Sequence, residues 1–408
     1  MDNAHWAIQI EEELRNNILP FWLEQAVDEE NGGFYGYINR NLQEDRMADK
    51  ALVLNTRIMW TFSAAYRMYG EQRYLQTANR AYRYLTDYFE DTEHGGLYWS
   101  VSAKGTAVST KKQVYGQAFT IYAYTEYYRA TGDEETLKKA IELFHLLERH
   151  AFDPVHKGYI EALSREWQET NDNSLSTKDL NSKKSMNTHL HVLEAYTNLY
   201  RVWPDNQVRL KLQDLIAVTI HHIVNEESWH FKLFFDMAWT SESDHISYGH
   251  DIEGSWLLYE AAEVLGDSDL LGAVRLVALR MAEVTLKEGI DEDGGLFNEA
   301  GPEGICDTDK DWWPQAEAVV GFYNAFQLTG NEAYREAALN AWHFIDRYLV
   351  DRKNGEWHWS VRRDGTISDN EEKAGPWKCP YHNSRACMEM IERLAKAPVA
   401  KISNHNGG

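Results

Sequence analysis

Tyr66-Arg-Met-Tyr-Gly70 is the segment from which the fold can be predicted, because segments like it recur along the chain. Each is an aromatic or apolar run closed by Gly or Pro, and both residues commonly mark the end of a helix. The later copies are Tyr128-Arg-Ala-Thr-Gly132, Tyr200-Arg-Val-Trp-Pro204, Ala262-Glu-Val-Leu-Gly266 and Phe326-Gln-Leu-Thr-Gly330. They follow one another at spacings of 62, 72, 62 and 64 residues. Recurrence at similar spacings indicates repeated structural units.

The pattern between these segments is helical. Apolar residues recur at i, i+3, i+4 and i+7 from Ala51 to Tyr69 and again from Tyr74 to Phe89. The sequence predicts first helices that start near 51, 113, 187, 250, 313 and 382, and second helices that start near 72, 134, 206, 268 and 332. An N-terminal helix over about 6–28 supplies the last partner.

A second repeated feature is a glycine-rich turn followed by aromatic or apolar residues, predicted to form a turn or short hairpin. The strand signals around these turns are too short to predict a true sheet. The turns are Asn31-Gly-Gly-Phe-Tyr, His94-Gly-Gly-Leu-Tyr-Trp, Lys157-Gly-Tyr, Asp293-Gly-Gly-Leu-Phe and Asn354-Gly-Glu-Trp-His-Trp. Residues 228–235 occupy the remaining position without glycines.

Six helix pairs whose chain ends meet predict an all-α fold, an (α/α)6 barrel of six helical hairpins. One pair cannot bury both of its faces alone, so neighbouring pairs must stack. An open superhelix is the alternative, and it is disfavoured because no terminal unit resembles a polar cap. The sequence predicts a single catalytic barrel domain over 1–396 and a flexible tail over 397–408.

Composition narrows the possible partners. The 41 Lys and Arg against 64 Asp and Glu give a net charge of −23, which disfavours nucleic acid and anionic membranes as partners and favours a neutral ligand. Three cysteines form no disulfide framework or metal-type CxxC spacing. No signal peptide or membrane-spanning run is evident, so a cytoplasmic protein is expected.

Three histidines fall near the starts of predicted inner helices: His191, His250 and His382. Other units carry Arg57, Tyr115 and Trp313 at the comparable position. In a closed barrel these starts converge at one end of the axis, which predicts a pocket there. Helix N-termini disfavour imidazolium, so these histidines would be neutral and suited to act as bases. Glu253 and Glu317, three residues after His250 and four after Trp313, are candidates to orient a histidine or bind a hydroxyl.

Other chemistries receive less support from the sequence. No HExxH motif or i, i+4 histidine pair indicates a metal site, and no phosphate-binding glycine motif indicates a nucleotide, so neither metal nor cofactor is predicted. A glycoside hydrolase would use two carboxylates, for which Glu253 and Glu317 are available, but the histidines would then have no role. A sugar-binding protein without catalysis is a further alternative.

Five motifs together resemble the cellobiose 2-epimerases, within the N-acylglucosamine 2-epimerase superfamily, over residues 6–395. That family has an (α/α)6 barrel. The motifs are Leu54-Asn-Thr-Arg57-Ile-Met-Trp60, Ser185-Met-Asn-Thr-His-Leu-His191-Val-Leu-Glu-Ala-Tyr196, Gly249-His-Asp-Ile-Glu253, Asp307-Thr-Asp with Trp312-Trp-Pro-Gln-Ala-Glu317, and Trp377-Lys-Cys-Pro-Tyr-His382-Asn383.

The resemblance implies a monomeric isomerase that needs no cofactor. Its histidines would transfer the proton at C2 of a sugar. His250 and His382 would be the acid/base pair, and His191 would support ring opening or the intermediate. Trp377 and Asp179 would contact a second sugar. The residues implied around the reducing-end sugar are Arg57, Tyr115, Asn187, Glu253 and Trp313.

The implied reaction is reversible 2-epimerisation of the reducing-end glucose of a β-1,4-linked disaccharide, through a cis-enediolate. Cellobiose would give glucosyl-mannose, and lactose would give epilactose. A monosaccharide aldose–ketose isomerase, or an epimerase of mannose or N-acylglucosamine, is the nearest alternative. A glycoside hydrolase on the same barrel is the alternative from another class.

Overall fold

The computed structural model describes residues 2–176, 179–368 and 371–396. The tail expected over 397–408 lies outside these residues. The helices are α1 (Asn3–Glu13), α2 (Leu19–Glu24), α3 (Leu52–Tyr69), α4 (Gln72–Tyr84), α5 (Val114–Thr131), α6 (Glu134–His150), α7 (Met186–Val202), α8 (Asn206–Val218), α9 (Tyr248–Leu265), α10 (Ser268–Glu288), α11 (Trp312–Thr329), α12 (Glu332–Phe344) and α13 (Tyr381–Ala395). Short π-helical turns join α1 to α2 and extend α4, α8 and α12.

The odd-numbered helices from α3 to α13 form a closed inner ring. Each contacts the next along the chain, and α13 contacts α3. Each inner helix also packs on an outer partner, and α1 packs on α13. The chain ends therefore meet, which confirms the predicted (α/α)6 barrel and excludes the open superhelix for the described residues.

Burial explains why these helices lie inside. In α3 every residue from Leu52 to Ala65 is buried, whereas α4 buries one face only. The inner helix ends at Gly70, whose φ of 69° is the left-handed conformation that a residue without a Cβ adopts most easily. Gly132 ends α5 in the same way, with a φ of 73°. The repeated segments therefore contain the C-caps of the inner helices α3, α5, α7, α9 and α11.

The turns between units are short antiparallel hairpins, each closed by a bridge such as Val27 with Phe34 or Glu90 with Leu97. Small sheets flank them, which the sequence did not predict because their strands span two to four residues. The strands are β1 (Ile38–Asn39), β2 (Lys50–Ala51), β3 (Ser100–Val101), β4 (Ala107–Ser109), β5 (Lys112–Gln113), β6 (Ala162–Leu163), β7 (Lys184–Ser185), β8 (Phe234–Phe235), β9 (Ile246–Ser247), β10 (Glu299–Gly301), β11 (Gly304–Asp307), β12 (Lys310–Asp311), β13 (Ser360–Val361) and β14 (Glu372–Ala374).

The sheets form a ring above the N-termini of the inner helices. Five inner helices follow directly from a strand, and that strand pairs with one beyond the next hairpin: β2 with β3, β5 with β6, β7 with β8, β9 with β10, and β12 with β13. The pair β1–β14 joins the two ends of the chain. This arrangement fixes the first turns of those five inner helices, whereas α13, which carries His382, begins at Tyr381 without a strand directly before it.

Five units also share a buried Lys–Asp ion pair beneath the hairpin. Removing one partner of a buried pair typically costs about 3–5 kcal/mol, because the other charge is left uncompensated. In the fourth unit both partners are replaced: Asn225 stands at the position of the Asp, and Ile246 at that of the Lys. The hairpin of this unit also has Trp229, with a φ of 64°, where other hairpins have a glycine. The pairs are Lys50–Asp28, Lys112–Asp91, Lys184–Asp153, Lys310–Asp291 and Lys373–Asp351, at 2.8 to 3.0 Å.

None of the described helices combines the length and apolar character needed to cross a lipid bilayer.

Candidate active site

The N-terminal turns of the inner helices place most of the sequence-predicted site residues together. The ring of Trp313 lies 4.6 Å from that of His250 and 5.5 Å from that of His382, measured between centroids. The ring of Tyr115 lies 5.0 Å from that of His191. Arg57 joins the group through a 2.7 Å hydrogen bond to the Tyr115 hydroxyl. The barrel end is therefore lined by imidazoles, aromatic rings and one guanidinium.

A carboxylate on a neighbouring helix holds His382. Its Nδ1 atom lies 2.7 Å from Oε1 of Glu317 and 3.7 Å from Oε1 of Glu253. Because an ionised carboxylate only accepts, the contact with Glu317 requires the proton on Nδ1 and leaves a lone pair on Nε2. The other Glu317 oxygen accepts from Trp256 Nε1 at 3.0 Å, which fixes the carboxylate.

Arg385 organises the carboxylates beneath the histidines. Its Nη2 atom donates to Glu253 and Glu317 at 2.6 Å each, and its Nη1 atom donates to Glu194. The hydroxyl of Tyr381 also donates to Glu194. Burial alone raises the pKa of Glu194, but Arg385 and the hydrogen bonds outweigh it and hold that pKa at about 2. Glu194 is therefore an anion.

A different partner holds His250. Its Nδ1 atom lies 2.8 Å from the hydroxyl of Ser247, the last residue of β9. The Glu253 carboxylate, a candidate to orient His250, instead contacts Arg385 and lies near His382. Burial, followed by the charges of His191 and Arg57, lowers the pKa of His250 to about 3.

His191 completes the set, with Nδ1 3.0 Å from Oε2 of Glu194. Burial lowers its pKa, and Glu194 offsets only part of that shift. Burial, with Arg57 and Arg385, holds the pKa of His382 well below its usual range. All three rings are therefore neutral near pH 7. Within the described part of the chain, the Nε2 atom of each forms no hydrogen bond.

Arg57 is a buried cation without a carboxylate partner among the described residues. It is 3% exposed, and its side-chain contacts are the Tyr115 hydroxyl and, at 3.8 Å, the Cys379 sulfur. The Nε atom has no hydrogen-bond partner. The guanidinium also lies over the rings of Phe119 and Tyr381, at 4.3 and 5.0 Å. Because an unpaired buried charge is costly, this arrangement favours an anion bound beside Arg57.

The two carboxyls of Glu253 and Glu317 share one guanidinium nitrogen and repel each other. Burial, then the charge of Glu317, raises the pKa of Glu253 to about 8, and burial raises that of Glu317. If one of these two carboxyls is protonated, the local charges balance. The negative charges are then Glu194 and the remaining carboxylate, and the positive charges are Arg57 and Arg385. Glu253 Oε2 has no hydrogen-bond partner, so it is available to a substrate hydroxyl.

Three donor groups here, on Glu253, Glu317 and His382, lie close enough to hold a metal ion. Arg385 Nη2 already donates to both carboxylates, so a guanidinium stands where a cation would bind. The potential metal ligands are therefore already engaged by hydrogen bonds with Arg385 and with each other.

The remaining predicted residues lie further out. Asn187 is half-buried on the first turn of α7, and its Oδ1 atom has no hydrogen-bond partner. Trp377 is half-buried, with its ring centroid 5.7 Å from Tyr115 and 6.2 Å from Trp99. Asp179 accepts from the Ser176 hydroxyl at 2.7 Å and contacts none of the three histidines within the described residues.

Sequence reasoning missed Arg385 and Glu194. A signal for both exists, because each follows a histidine by three residues: His191 by Glu194 and His382 by Arg385, as Glu253 follows His250. The nearby His189 has both ring nitrogens engaged. Its Nε2 atom accepts from the Tyr159 backbone at 2.8 Å, which ties α7 to the hairpin, and its Nδ1 atom contacts the carbonyl of Ser185, the residue directly before α7.

Comparison with known proteins agrees over nearly the whole chain. The model of the N-acylglucosamine 2-epimerase family matches residues 33–386. A cellobiose 2-epimerase of Bacteroides fragilis is 48% identical over 384 residues, 94% of this chain and 98% of that protein. One of Ruminococcus albus is 41% identical over 386 residues, 94% and 98% of the two chains. The solved structure of a cellobiose 2-epimerase from Bacillus thermoamylovorans B4167 superposes with a TM-score of 0.92 at 42% identity, covering 96% of this chain and 100% of that one.

Proposed function

The chain belongs to the N-acylglucosamine 2-epimerase family and is a carbohydrate epimerase, and we propose that it reversibly inverts C2 of the reducing-end glucose of β-1,4-linked disaccharides. Cellobiose becomes glucosyl-mannose, and lactose becomes epilactose. The observation that carries the proposal is the buried Arg57, which has no carboxylate partner among the described residues and lies among neutral imidazoles.

The reaction demands this arrangement. C2–H is acidic only beside an open-chain aldehyde, so the ring must first open by transfer of a proton from the C1 hydroxyl to the ring oxygen. We assign support of this step to His191. A base then takes the C2 proton, the C–H electron pair forms the C1–C2 double bond, and negative charge develops on the C1 oxygen. Arg57 stabilises that enediolate, and one such preorganised donor contributes about 3–4 kcal/mol.

Inversion requires the proton to return on the opposite face of C2. His250 and His382 lie against one Trp313 ring and come from different helices, so we assign one to each face. Each is neutral, and its Nε2 forms no hydrogen bond among the described residues, so either ring can act as a base. One ring accepts the C2 proton, while the other takes a proton from solvent and delivers it to the opposite face of C2. The first ring then releases its proton to solvent, which restores the neutral pair. A positioned base typically contributes about 10²–10⁴-fold.

The outer aromatic residues support a disaccharide rather than a monosaccharide. Trp377 packs edge-on against Tyr115, beside Trp99, and keeps part of its ring exposed. Such a platform suits the C–H face of a second sugar. We assign Trp377 to that contact, Asn187 and Glu253 to hydroxyls of the reducing-end sugar, and Asp179 to the second sugar.

The hydrolase alternative fits the geometry poorly. Glycosidases place two carboxyls on opposite sides of the bond to be cleaved. Glu253 and Glu317 instead meet on one guanidinium nitrogen, and Glu317 is also engaged by His382. The two carboxyls are therefore held next to each other rather than apart across a sugar bond.

The test is to incubate the purified protein with cellobiose in D2O and to follow the reducing end by NMR. A mannose-type reducing end with deuterium at C2 is expected. Arg57→Met, which keeps the apolar stem without the charge, should abolish both the exchange and the inversion. Free glucose would mean hydrolysis, and conversion of mannose but not of cellobiose or lactose would mean a monosaccharide enzyme; either result would refute the proposal.

A further inference from the structure

We propose that the protein carries a second site, outside the barrel pocket, in which His245, Glu299 and Cys306 bind a Zn²⁺-type divalent transition-metal ion. Each residue offers one ligand atom, and these three atoms lie within 4.8 Å of one another. The proposal does not depend on the epimerase reaction, because none of the three residues belongs to the pocket.

The sheet β9–β10–β11 brings the donors together. Glu299 pairs with Ser247 on one side and Asp307 on the other, and His245 directly precedes β9. The register of β10 with β11 shifts after Glu299, so Cys306 is an extra, bulged residue. Bulges redirect side chains, and this one turns the thiol toward the other two donors.

Gly301 leaves room for the ion. A Cβ at this position would lie 4.0 Å from both Cys306 Sγ and His245 Cε1. The side chains of Cys306 and His245 therefore both approach the glycine, and neither comes closer than ordinary van der Waals contact. A larger residue at 301 would fill the space between the thiol and the imidazole.

The donor set selects the metal. Imidazole, thiolate and carboxylate are zinc ligands, whereas Mg²⁺ and Ca²⁺ prefer oxygen alone. With bonds of about 2.0–2.3 Å, tetrahedral ligand atoms lie about 3.5 Å apart, so modest side-chain rotation closes the site. Three protein ligands leave the fourth position to water. Binding releases the thiol proton of Cys306 to solvent.

The location gives the ion a structural role. It would link all three strands of the sheet, and Ser247 in β9 holds the ring of His250. A bound metal stabilises the native state in proportion to its occupancy, so the melting temperature should rise with metal concentration. It would secure the start of α9 without touching substrate.

Co²⁺ is the probe, because thiolate coordination gives a near-ultraviolet charge-transfer absorption that oxygen and nitrogen ligands alone do not. Cys306 is the exposed cysteine, whereas Cys379 and Cys387 are buried. The chelator-treated protein, kept reduced, should develop this band at one equivalent of Co²⁺ with tetrahedral d–d absorption, and Zn²⁺ should displace it. Cys306→Ser should abolish the band.

His245→Ala and Glu299→Gln should each weaken Co²⁺ binding by at least about tenfold. Glu303→Gln is the matched control, since it removes an exposed carboxylate from the same hairpin that is not one of the three donors. Zn²⁺ should raise the melting temperature of the wild type and of this control, but not of Cys306→Ser. Absence of the band in the wild type, or its persistence in Cys306→Ser, would overturn the proposal.

Discussion

His382 and His250 lie on either side of Trp313, yet the chain holds them by different means. The Nδ1 of His382 meets a carboxylate that Arg385 and Trp256 also bind, whereas the Nδ1 of His250 meets only the hydroxyl of Ser247. Both rings are kept neutral, but only His382 has a carboxylate in direct contact with its imidazole. The hydroxyl can orient the His250 ring, whereas the carboxylate can both orient the His382 ring and stabilise its protonated form.

A carboxylate fixes one tautomer and stabilises the imidazolium that forms during turnover, whereas a hydroxyl can donate or accept and stabilises it much less. We therefore expect His382 to be the stronger base in the reacting complex. His250 should depend on its partner mainly for position. Substitutions on each side of Trp313 test this asymmetry.

The largest effect is expected from His382→Ala and His250→Ala, which should each lower kcat/KM about 10²–10⁴-fold. Deuterium exchange at C2 shows which histidine transfers the proton on which face. If each serves one face, each variant should still exchange C2 hydrogen without inversion in one epimer, and the two variants should favour opposite epimers.

His343→Ala, which removes an exposed imidazole on α12, should leave turnover unchanged. A result in which one variant loses exchange in both epimers while the other keeps both would assign a single base to the reaction. The two-base division would then be wrong, although the pocket would keep its role.

Glu317→Gln should lower kcat/KM about 10²-fold, because an amide can donate to Nδ1 of His382 and favour the wrong tautomer. The Gln side chain has nearly the same shape, so packing around Trp256 is retained. The measurement is kcat/KM together with the melting temperature. An unchanged kcat/KM in a folded variant would show that the carboxylate is not needed.

The sequence predicted most of the barrel and little of the charge network. Inner helices expected near 51, 113, 187, 250, 313 and 382 begin at 52, 114, 186, 248, 312 and 381. Helix caps and apolar periodicity are local signals, and a repeat reinforces each of them. Convergence of His191, His250 and His382 then followed from closure of the ring.

The contacts made across the barrel were not predictable in the same way. The spacing of Glu253 from His250 pointed to a pair on one helix, but Glu253 binds Arg385 on α13. Side chains three residues apart share a helix face, and rotamers together with neighbouring helices decide which partner each one meets. Arg385 itself was overlooked because its three carboxylate partners come from three other helices.

The pH dependence of activity should also arise from groups near His382, in particular Glu253. Burial and the charge of Glu317 raise the pKa of Glu253 to about 8. Loss of the proton held by the Glu253–Glu317 pair would end the charge balance of the pocket, so activity should fall as pH rises through that range, approaching about tenfold per pH unit. On the acid side His250, with a pKa of about 3, stays a neutral base well below pH 7. Glu253→Gln cannot ionise, so its profile should lose the alkaline fall even where its overall rate is lower. An unaltered alkaline limb in this variant would assign the titration to another group.

The smallest effect is expected from Ser247→Ala on the His250 side. A neutral hydrogen bond contributes about 0.5–1.5 kcal/mol, so kcat/KM should fall about threefold to tenfold. Ser185→Ala is the matched control, because Ser185 precedes α7 as Ser247 precedes α9, but its hydroxyl accepts from the Thr188 backbone and holds no histidine. That control should lower stability by about 1 kcal/mol, through loss of a helix cap, with little change in kcat/KM. A loss in Ser247→Ala as large as that in Glu317→Gln would mean that orientation alone sets the rate, and that the charges around His382 add nothing further.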